Sequence, residues 1–348
     1  MFGRFADALV NEIRLRADEI TDEVNTLYIG GGTPSVLPLD IYAALLDALR
    51  HEGHGASFDE FTVEVNPEDI VEKGEAYVEG LLKLGVNRIS MGVQSFDDGI
   101  LRWMNRRHDS ATAFKAYSIL ERTGIGNISI DLIFGLSQLS DEGWSRTLDK
   151  AMSLSSSGKV PPHVSAYQLS VEPGSALAGL VDKGLWSEAP DEMCARQYDI
   201  LCERLKSEGY NHYEISNFAL PGYEAKHNSA YWAHVPYLGL GPGAHSFLLK
   251  DGHFIRQWNE PDLKKYIEDP VGQQGRELLS HEQLCLEKVM LGLRTAEGLD
   301  MAYLKDAAEP SVLEALTKAG KIECTAEGRI RIPERSFFIS DGIISDLV

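Results

Sequence analysis

The sequence predicts an α/β fold, a parallel sheet or barrel followed by a small α+β module. Three observations carry that expectation. Residues 26–34, Thr26-Leu27-Tyr28-Ile29-Gly30-Gly31-Gly32-Thr33-Pro34, are an apolar, partly β-branched run that ends in three glycines. Such a run reads as a buried parallel strand, and bare glycine backbone at its C-terminal end lets a ligand approach the amides. Strand-like and helix-like stretches then alternate at a spacing of roughly 30–40 residues, the pattern of βα units. Finally, each strand carries a polar residue at or near its C-terminal end: Thr33, Glu64, Gln94, Asp131 and Gln168. In parallel α/β folds that end of the strands forms the ligand-binding rim.

Residues 1–23 read as an amphipathic helix, with Phe2, Phe5, Leu9 and Ile13 at helical spacing. The first strand covers 26–30, and Ile41, Leu45, Leu46 and Leu49 mark a helix over 38–50. Residues 61–66 form the second strand, stopped by Pro67, which has no N–H for a ladder. A helix through Tyr77, Leu81, Leu82 and Leu84 ends at Gly85, a C-cap. Strands follow at 87–94, 127–135 and 163–169, with helices over 97–122 and 141–154. After Pro173-Gly174 the pattern changes to a helix over 190–208 and a single alternating strand over 213–218. His227-Asn228-Ser229-Ala230-Tyr231-Trp232 then leads into a glycine-rich stretch over 237–246. From about residue 279 two helix faces (Leu286, Val289, Met290, Leu293, then Val312, Leu313, Leu316) and a hairpin around Glu327-Gly328 suggest a winged-helix-like module. The expected division is a barrel over 1–240, a connector over 241–278 and a C-terminal module over 279–348.

The 348 residues include 33 Lys and Arg against 53 Asp and Glu, a net charge of −20. That argues against a nucleic-acid partner, which needs basic surface to displace counterions. Residues 281–348 carry 12 acids and 8 Lys and Arg, so the wing-like module reads as a packing or partner domain. Cys194, Cys202, Cys285 and Cys324 show no tight metal spacing and read as free thiols of a reducing, cytoplasmic compartment. No run of 18 apolar residues predicts a membrane span, and the first residues lack the apolar core of a secretory signal.

In a helix over 227–232, His227 and Tyr231 share a face, as do Asn228 and Trp232. An imidazole can ligate heme iron while a neighbouring aromatic packs on the porphyrin. On these six residues alone, an aromatic packing corner with a hydrogen-bonded histidine is favoured. His245 is a weaker ligand candidate, and His108, His163 and His212 read as structural or exposed.

Taken in order, Gly30-Gly31-Gly32-Thr33-Pro34, Val63-Glu64-Val65-Asn66-Pro67, Arg88-Ile89-Ser90-Met91-Gly92-Val93-Gln94-Ser95-Phe96 and Ile130-Asp131-Leu132-Ile133-Phe134-Gly135-Leu136 closely resemble the radical S-adenosylmethionine (SAM) proteins of the oxygen-independent coproporphyrinogen oxidase group. The 227–232 stretch is similar to the His-Asn-x-x-Tyr-Trp motif of the heme chaperones within that group. The resemblance implies a partial (β/α)6 barrel with SAM across its mouth. Gly31, Gly32 and Thr33 would line the methionine end, and Glu64, Gln94, Arg106 and Asp131 would supply polar contacts. It also implies heme at His227, Tyr231 and Trp232, with His227 on the heme iron.

The family's first strand carries Cys-x3-Cys-x2-Cys for a [4Fe-4S] cluster. That motif is absent from this chain, and its four cysteines stand in the wrong elements to replace it. Either the chain is N-terminally truncated, so that its barrel lacks the first strand, or it is a member that has lost cluster chemistry; the persistence of the SAM-site residues makes truncation the expectation. The implied function is a chaperone that binds heme and hands it to an acceptor protein in the cytoplasm, with a dimer among its expected states. The alternative is a coproporphyrinogen III dehydrogenase performing SAM-dependent oxidative decarboxylation in porphyrin biosynthesis. The missing cysteines weigh against it.

Overall fold

The structure, a computed structural model, describes residues 2–20, 23–55, 57–304 and 307–348. The chain opens with α1 (Phe2–Leu15) and a 3-10 turn (Ala17–Glu19), where the sequence predicted one helix over 1–23; Met1 and residues 21–22 lie outside the described residues. There follow β1 (Thr26–Ile29), α2 (Leu39–His51), β2 (Glu60–Val65), α3 (Pro67–Lys83), β3 (Arg88–Gln94), α4 (Asp98–Trp103), α5 (Ser110–Arg122), β4 (Ile128–Phe134), α6 (Asp141–Met152) and β5 (His163–Gln168). Pro67 ends the second strand as expected because it opens α3, where a missing N–H costs nothing.

The helical stretch predicted over 97–122 is two helices, each with its own N-cap. The Asp97 carboxylate accepts from the Gly99 and Ile100 N–H groups, and that of Asp109 from Thr112 N–H. Between them Asn105 turns the chain at φ +56°. That break places Arg106 in a loop, free of helix geometry.

A seven-stranded sheet has the order β1-β2-β3-β4-β5-β7-β6, where β6 is Asn211–Glu214 and β7 is Asn217–Ala219. Strands β2 to β5 pair in parallel, with Val63 opposite Ile89, Met91 opposite Ile130 and Ile130 opposite Val164. All five of these side chains are fully buried. This explains their near-continuous apolar sequences, since a parallel sheet is covered on both faces. The arrangement is the predicted half-barrel of βα units.

Two helices intervene before the hairpin, α7 (Ala176–Asp182) and α8 (Asp191–Ser207). The single strand expected over 213–218 is a turn flanked by two strands. Ser216 N–H and the Asn217 amide both donate to the Glu214 carboxylate, which folds the chain back at Ile215-Ser216. Strand β7 runs antiparallel to β5 and to β6. Glu214, at the C-terminal end of β6, therefore lies at the same end of the sheet as the tips of β2 to β5.

After α9 (Lys226–Trp232), residues 241–278 hold a second sheet: β8 (His245–Lys250), β9 (His253–Trp258), α10 (Leu263–Glu268) and β10 (Gly275–Leu278), in the order β10-β9-β8. The C-terminal part comprises α11 (His281–Gly292), β11 (Leu299–Asp300), α12 (Pro310–Lys318), β12 (Glu323–Cys324), β13 (Arg329–Arg331) and α13 (Ser340–Leu347). Its sheet order, β11-β13-β12, with α11 ahead of β11 and α12 between β11 and β12, is winged-helix-like. Contacts divide the chain into two compact units: Ile29–Ser35 with Thr62–Glu224, and Met1–Tyr28 with Val36–Phe61 and Ala225–Val348. No helix among the described residues is long and apolar enough to cross a membrane.

Glu214 makes the fold sensitive to pH. Its side chain is fully buried, and burial pushes its carboxyl up to about 7, against the opposing pull of Ser216 N–H and the Asn217 amide. A carboxyl whose folded pKa lies above its unfolded value of 4.5 stabilises the fold below that value, and the contribution is lost as pH rises through about 7. Thermal melting should therefore fall between about pH 5 and pH 8. In Glu214→Gln this part of the slope should flatten, leaving the variant more stable than wild type by roughly 2–3 kcal/mol at about pH 8. Melting curves with the same pH slope in both proteins would refute it.

Candidate functional site

At the tip of β1 the backbone enters the left-handed region twice, at Gly31 (φ +76°) and Gly32 (φ +58°), which only glycine does without strain. The Gly31 N–H donates to the Glu64 carboxylate at 2.9 Å, joining the tips of two strands. Ser35 secures the following segment. Its Oγ accepts from Asn66 N–H at 3.1 Å and donates to Asp69 at 2.5 Å, while the Lys73 ammonium donates to its carbonyl.

Gln94 is aimed by an irregularity. The β3–β4 register shifts between Met91 and Gln94, and Gln94 itself sits at φ +66°, a region non-glycine residues seldom occupy. Its amide packs over Gly92, where a Cβ would lie 2.8 Å from Gln94 Nε2 and 3.4 Å from Asn66 Oδ1. A side chain at position 92 would therefore push the Gln94 amide out of this position.

Asp131, on β4, has both carboxylate oxygens 3.1 Å from Ser90 Oγ. Burial pushes its carboxyl up to about 6, while the Ser90 hydrogen bond and the Arg88 charge pull the other way. Behind it, Ser129 Oγ lies 2.7 Å from His163 Nδ1, and His163 Nε2 lies 2.8 Å from the Tyr213 hydroxyl. Burial, with the charge of Arg88, holds His163 well below its ordinary pKa, so it is a neutral structural histidine.

Arg106 differs from its neighbours. Among the described residues no carboxylate pairs with its half-buried guanidinium. Burial lowers its pKa, opposed only by the more distant charges of Glu68 and Asp131. Its neighbour Arg107, by contrast, is paired to Glu68 at 3.0 Å and Asp69 at 3.1 Å.

These side chains converge on one cavity of about 350 Å³. Gly32, Thr33, Glu64, Gln94, Arg106 and Asp131 all line it, and Gly31 stands one peptide away on Glu64. The sequence reading missed Ser35, Asn66, Ser90 and Tyr167 in the same lining. At the end of β5 it selected Gln168, whereas Tyr167, 43% exposed, faces the cavity and Gln168 lies against Gly135. The adjacent aromatic was the missed signal. An unpaired guanidinium, two carboxylates, an amide and bare backbone form a donor set suited to a zwitterion joined to a polyol. The chemistry of SAM fits it.

The residues for a [4Fe-4S] cluster do not fit. Cys194 and Cys202 lie on α8, Cys285 on α11 and Cys324 on β12. Among the described residues no group of three metal-ligating side chains converges.

A second constellation surrounds α9. The Glu60 carboxylate, 3% exposed, accepts from the N–H groups of Lys226 at 2.8 Å and His227 at 3.0 Å, satisfying two donors at the helix start. His227 Nδ1 lies 2.8 Å from Thr26 Oγ1 and Nε2 lies 3.0 Å from the Tyr231 hydroxyl. Tyr28 stacks on the imidazole, with centroids 5.1 Å apart and planes at 19°. Tyr231 meets Tyr237 edge to face at 4.6 Å. The helical face predicted for His227 and Tyr231 is present, and Trp232 is the last residue of α9. Of the other histidines, His108 is buried between Glu68 and the Val93 carbonyl, His212 is buried and stacked on Phe218, and His245 is exposed beside Trp258.

Residues 2–151 match the model of the Radical SAM superfamily. A Lactococcus lactis protein, heme chaperone HemW, is 33% identical over 303 residues that cover 86% of this chain and 76% of its own. Heme chaperone HemW of Bacillus subtilis is 34% identical over 315 residues, covering 86% of this chain and 79% of its own. Among solved structures, the Escherichia coli coproporphyrinogen III oxidase HemN, a radical SAM enzyme, superposes with a TM-score of 0.80 over 99% of this chain and 82% of its own, at 22% identity, which shows the shared fold. Relatives of that identity and span, together with the cavity at the strand tips, establish that the chain belongs to the HemW family of radical SAM proteins.

Proposed function

We propose that this protein is a heme chaperone, which binds heme at α9 and passes it to an acceptor protein, on a half-barrel that holds SAM. The observation that carries the proposal is the His227–Tyr231 pair, walled by Tyr28 and Tyr237 and partly open to solvent. A packing corner would bury such aromatics, yet Tyr231 is 38% exposed. Relatives named as heme chaperones support the same assignment. Four cysteines without a disulfide suit a reducing cytoplasm.

In the cavity, Arg106 would pair with the SAM carboxylate through its fork of N–H donors. Glu64 and Asp131 would accept from the ammonium or the ribose hydroxyls, and the Gly31–Thr33 backbone would line the methionine end. SAM supplies a sulfonium and a nucleoside there. Among the described residues no ligand set for the cluster that would cleave it comes together.

Heme titration tests the proposal. A Soret band should appear at micromolar heme, and His227→Ala should weaken binding by about tenfold or more, as losing a residue that ligates or supports a metal centre does. No band in the wild-type protein would remove the chaperone function.

A further inference from the structure

His227 is enclosed at both ring nitrogens. Thr26 Oγ1 stands 2.8 Å from Nδ1, the Tyr231 hydroxyl stands 3.0 Å from Nε2, and Tyr28 covers a ring face. A metal–imidazole bond is about 2 Å long. Iron therefore reaches Nε2 only after the Tyr231 hydroxyl has moved away. The phenol is the outer group, since Tyr231 is exposed while His227 is half-buried. The Tyr231 ring is braced edge to face by His227 at 4.9 Å and by Tyr237 at 4.6 Å. The imidazole is itself anchored, because Glu60 holds the first turn of α9 by two backbone N–H groups.

We propose that Tyr231 Oη is the ligand of ferric heme iron and that His227 is its positioning residue and proton acceptor. The proposal rests on the heme-chaperone function and names the ligand within it. In the tautomer with its proton on Nδ1, His227 donates to Thr26 Oγ1 and presents the Nε2 lone pair to the Tyr231 O–H. On binding, the Tyr231 O–H bond breaks and its proton passes to Nε2. An Fe–O bond forms, and the water that held that position on the iron leaves to solvent. No electron moves, and the iron stays ferric. A phenolate is a known axial donor to heme iron, and as a hard anionic oxygen it favours the ferric over the ferrous state.

Resonance Raman spectroscopy of ferric heme bound to the full chain tests this. Phenolate ring modes should appear on excitation in the phenolate-to-iron charge-transfer band. Tyr231→Phe should lose them, with an affinity loss of about tenfold or more. His227→Ala should keep the modes at reduced affinity, and reduction of the wild-type complex with dithionite should weaken binding. Tyr231→His, which returns a ligand of another kind, should bind heme with an imidazole spectrum, showing that the site is still folded. A wild-type imidazole spectrum that survives in Tyr231→Phe and vanishes in His227→Ala would overturn the proposal while leaving heme binding intact. No Soret change in wild type would instead overturn the chaperone function itself.

Discussion

Replacing Arg16 by alanine is expected to cost the unit built on α1 and the C-terminal sheets about 3–5 kcal/mol, the range for breaking a buried ion pair. Arg16 and Glu12 are 1% and 0% exposed and pair at 2.8 Å on one face of the N-terminal helical segment. The guanidinium also donates to the Gly239 carbonyl at 2.9 Å and to Ser246 Oγ at 3.0 Å. Glu12 in turn accepts from Gly241 N–H at 2.8 Å, from the Asn259 amide at 2.6 Å and from the Tyr266 hydroxyl at 2.6 Å. The pair thus ties the first helix to residues more than 220 positions away. Removing the cation strands a carboxylate with no counter-charge on that side, and truncation leaves a void besides. Replacing both by methionine removes the charges and their desolvation penalty but leaves the Gly241 N–H, the Asn259 amide and the Tyr266 hydroxyl without their acceptor, so little of the loss should be recovered. Denaturant unfolding of the two single variants and the double variant gives the coupling. A midpoint for Arg16→Ala equivalent to a loss below about 0.5 kcal/mol, the range of an ordinary surface substitution, would show that the network carries no stability.

That network was invisible in the sequence, and the reason is physical. Glu12 and Arg16 are four apart on an amphipathic segment, the spacing of an ordinary exposed ion pair. Their burial follows from Gly239, Gly241, Asn259 and Tyr266 closing over them, which no local pattern records. The strand tips lie at the other extreme. Each of β1 to β4 announces itself by an apolar run, glycine or proline punctuation and a polar terminal residue, so Glu64, Gln94 and Asp131 could be placed on one rim before any coordinates. Arg106 was found only through the resemblance, since a loop arginine has no periodicity to betray it. The hairpin at 211–219 read as one strand because its turn uses Ile215-Ser216, without glycine or asparagine, and is closed by the Glu214 side chain. Strands β8, β9 and β10 escaped notice because β8 and β9 expose both ends and β10 alternates only at low burial. Period-2 contrast fades where one face is barely covered.

Arg106→Ala should raise the dissociation constant for SAM by about a hundredfold, roughly 3 kcal/mol, the upper range for a hydrogen bond to a charged group. What makes the variant informative is that, among the described residues, Arg106 has no bonded carboxylate to lose. Its guanidinium is half-buried in a cavity lined by Glu64 and Asp131, and burial lowers its pKa without a bonded partner to compensate. The fold maintains that cost, and a ligand carboxylate would offset it. Removing the side chain should therefore leave thermal stability unchanged or slightly higher while binding collapses. Arg106→Lys keeps the charge but not the planar fork, so an intermediate loss of about tenfold is expected. Glu64→Gln is the less clean variant, because Glu64 also holds the Gly31 N–H and its replacement disturbs the β1 tip. Isothermal titration with SAM, run beside thermal melts, separates the two effects. Equal SAM affinity in wild type and Arg106→Ala would place the SAM carboxylate elsewhere and undo the assignment of this cavity.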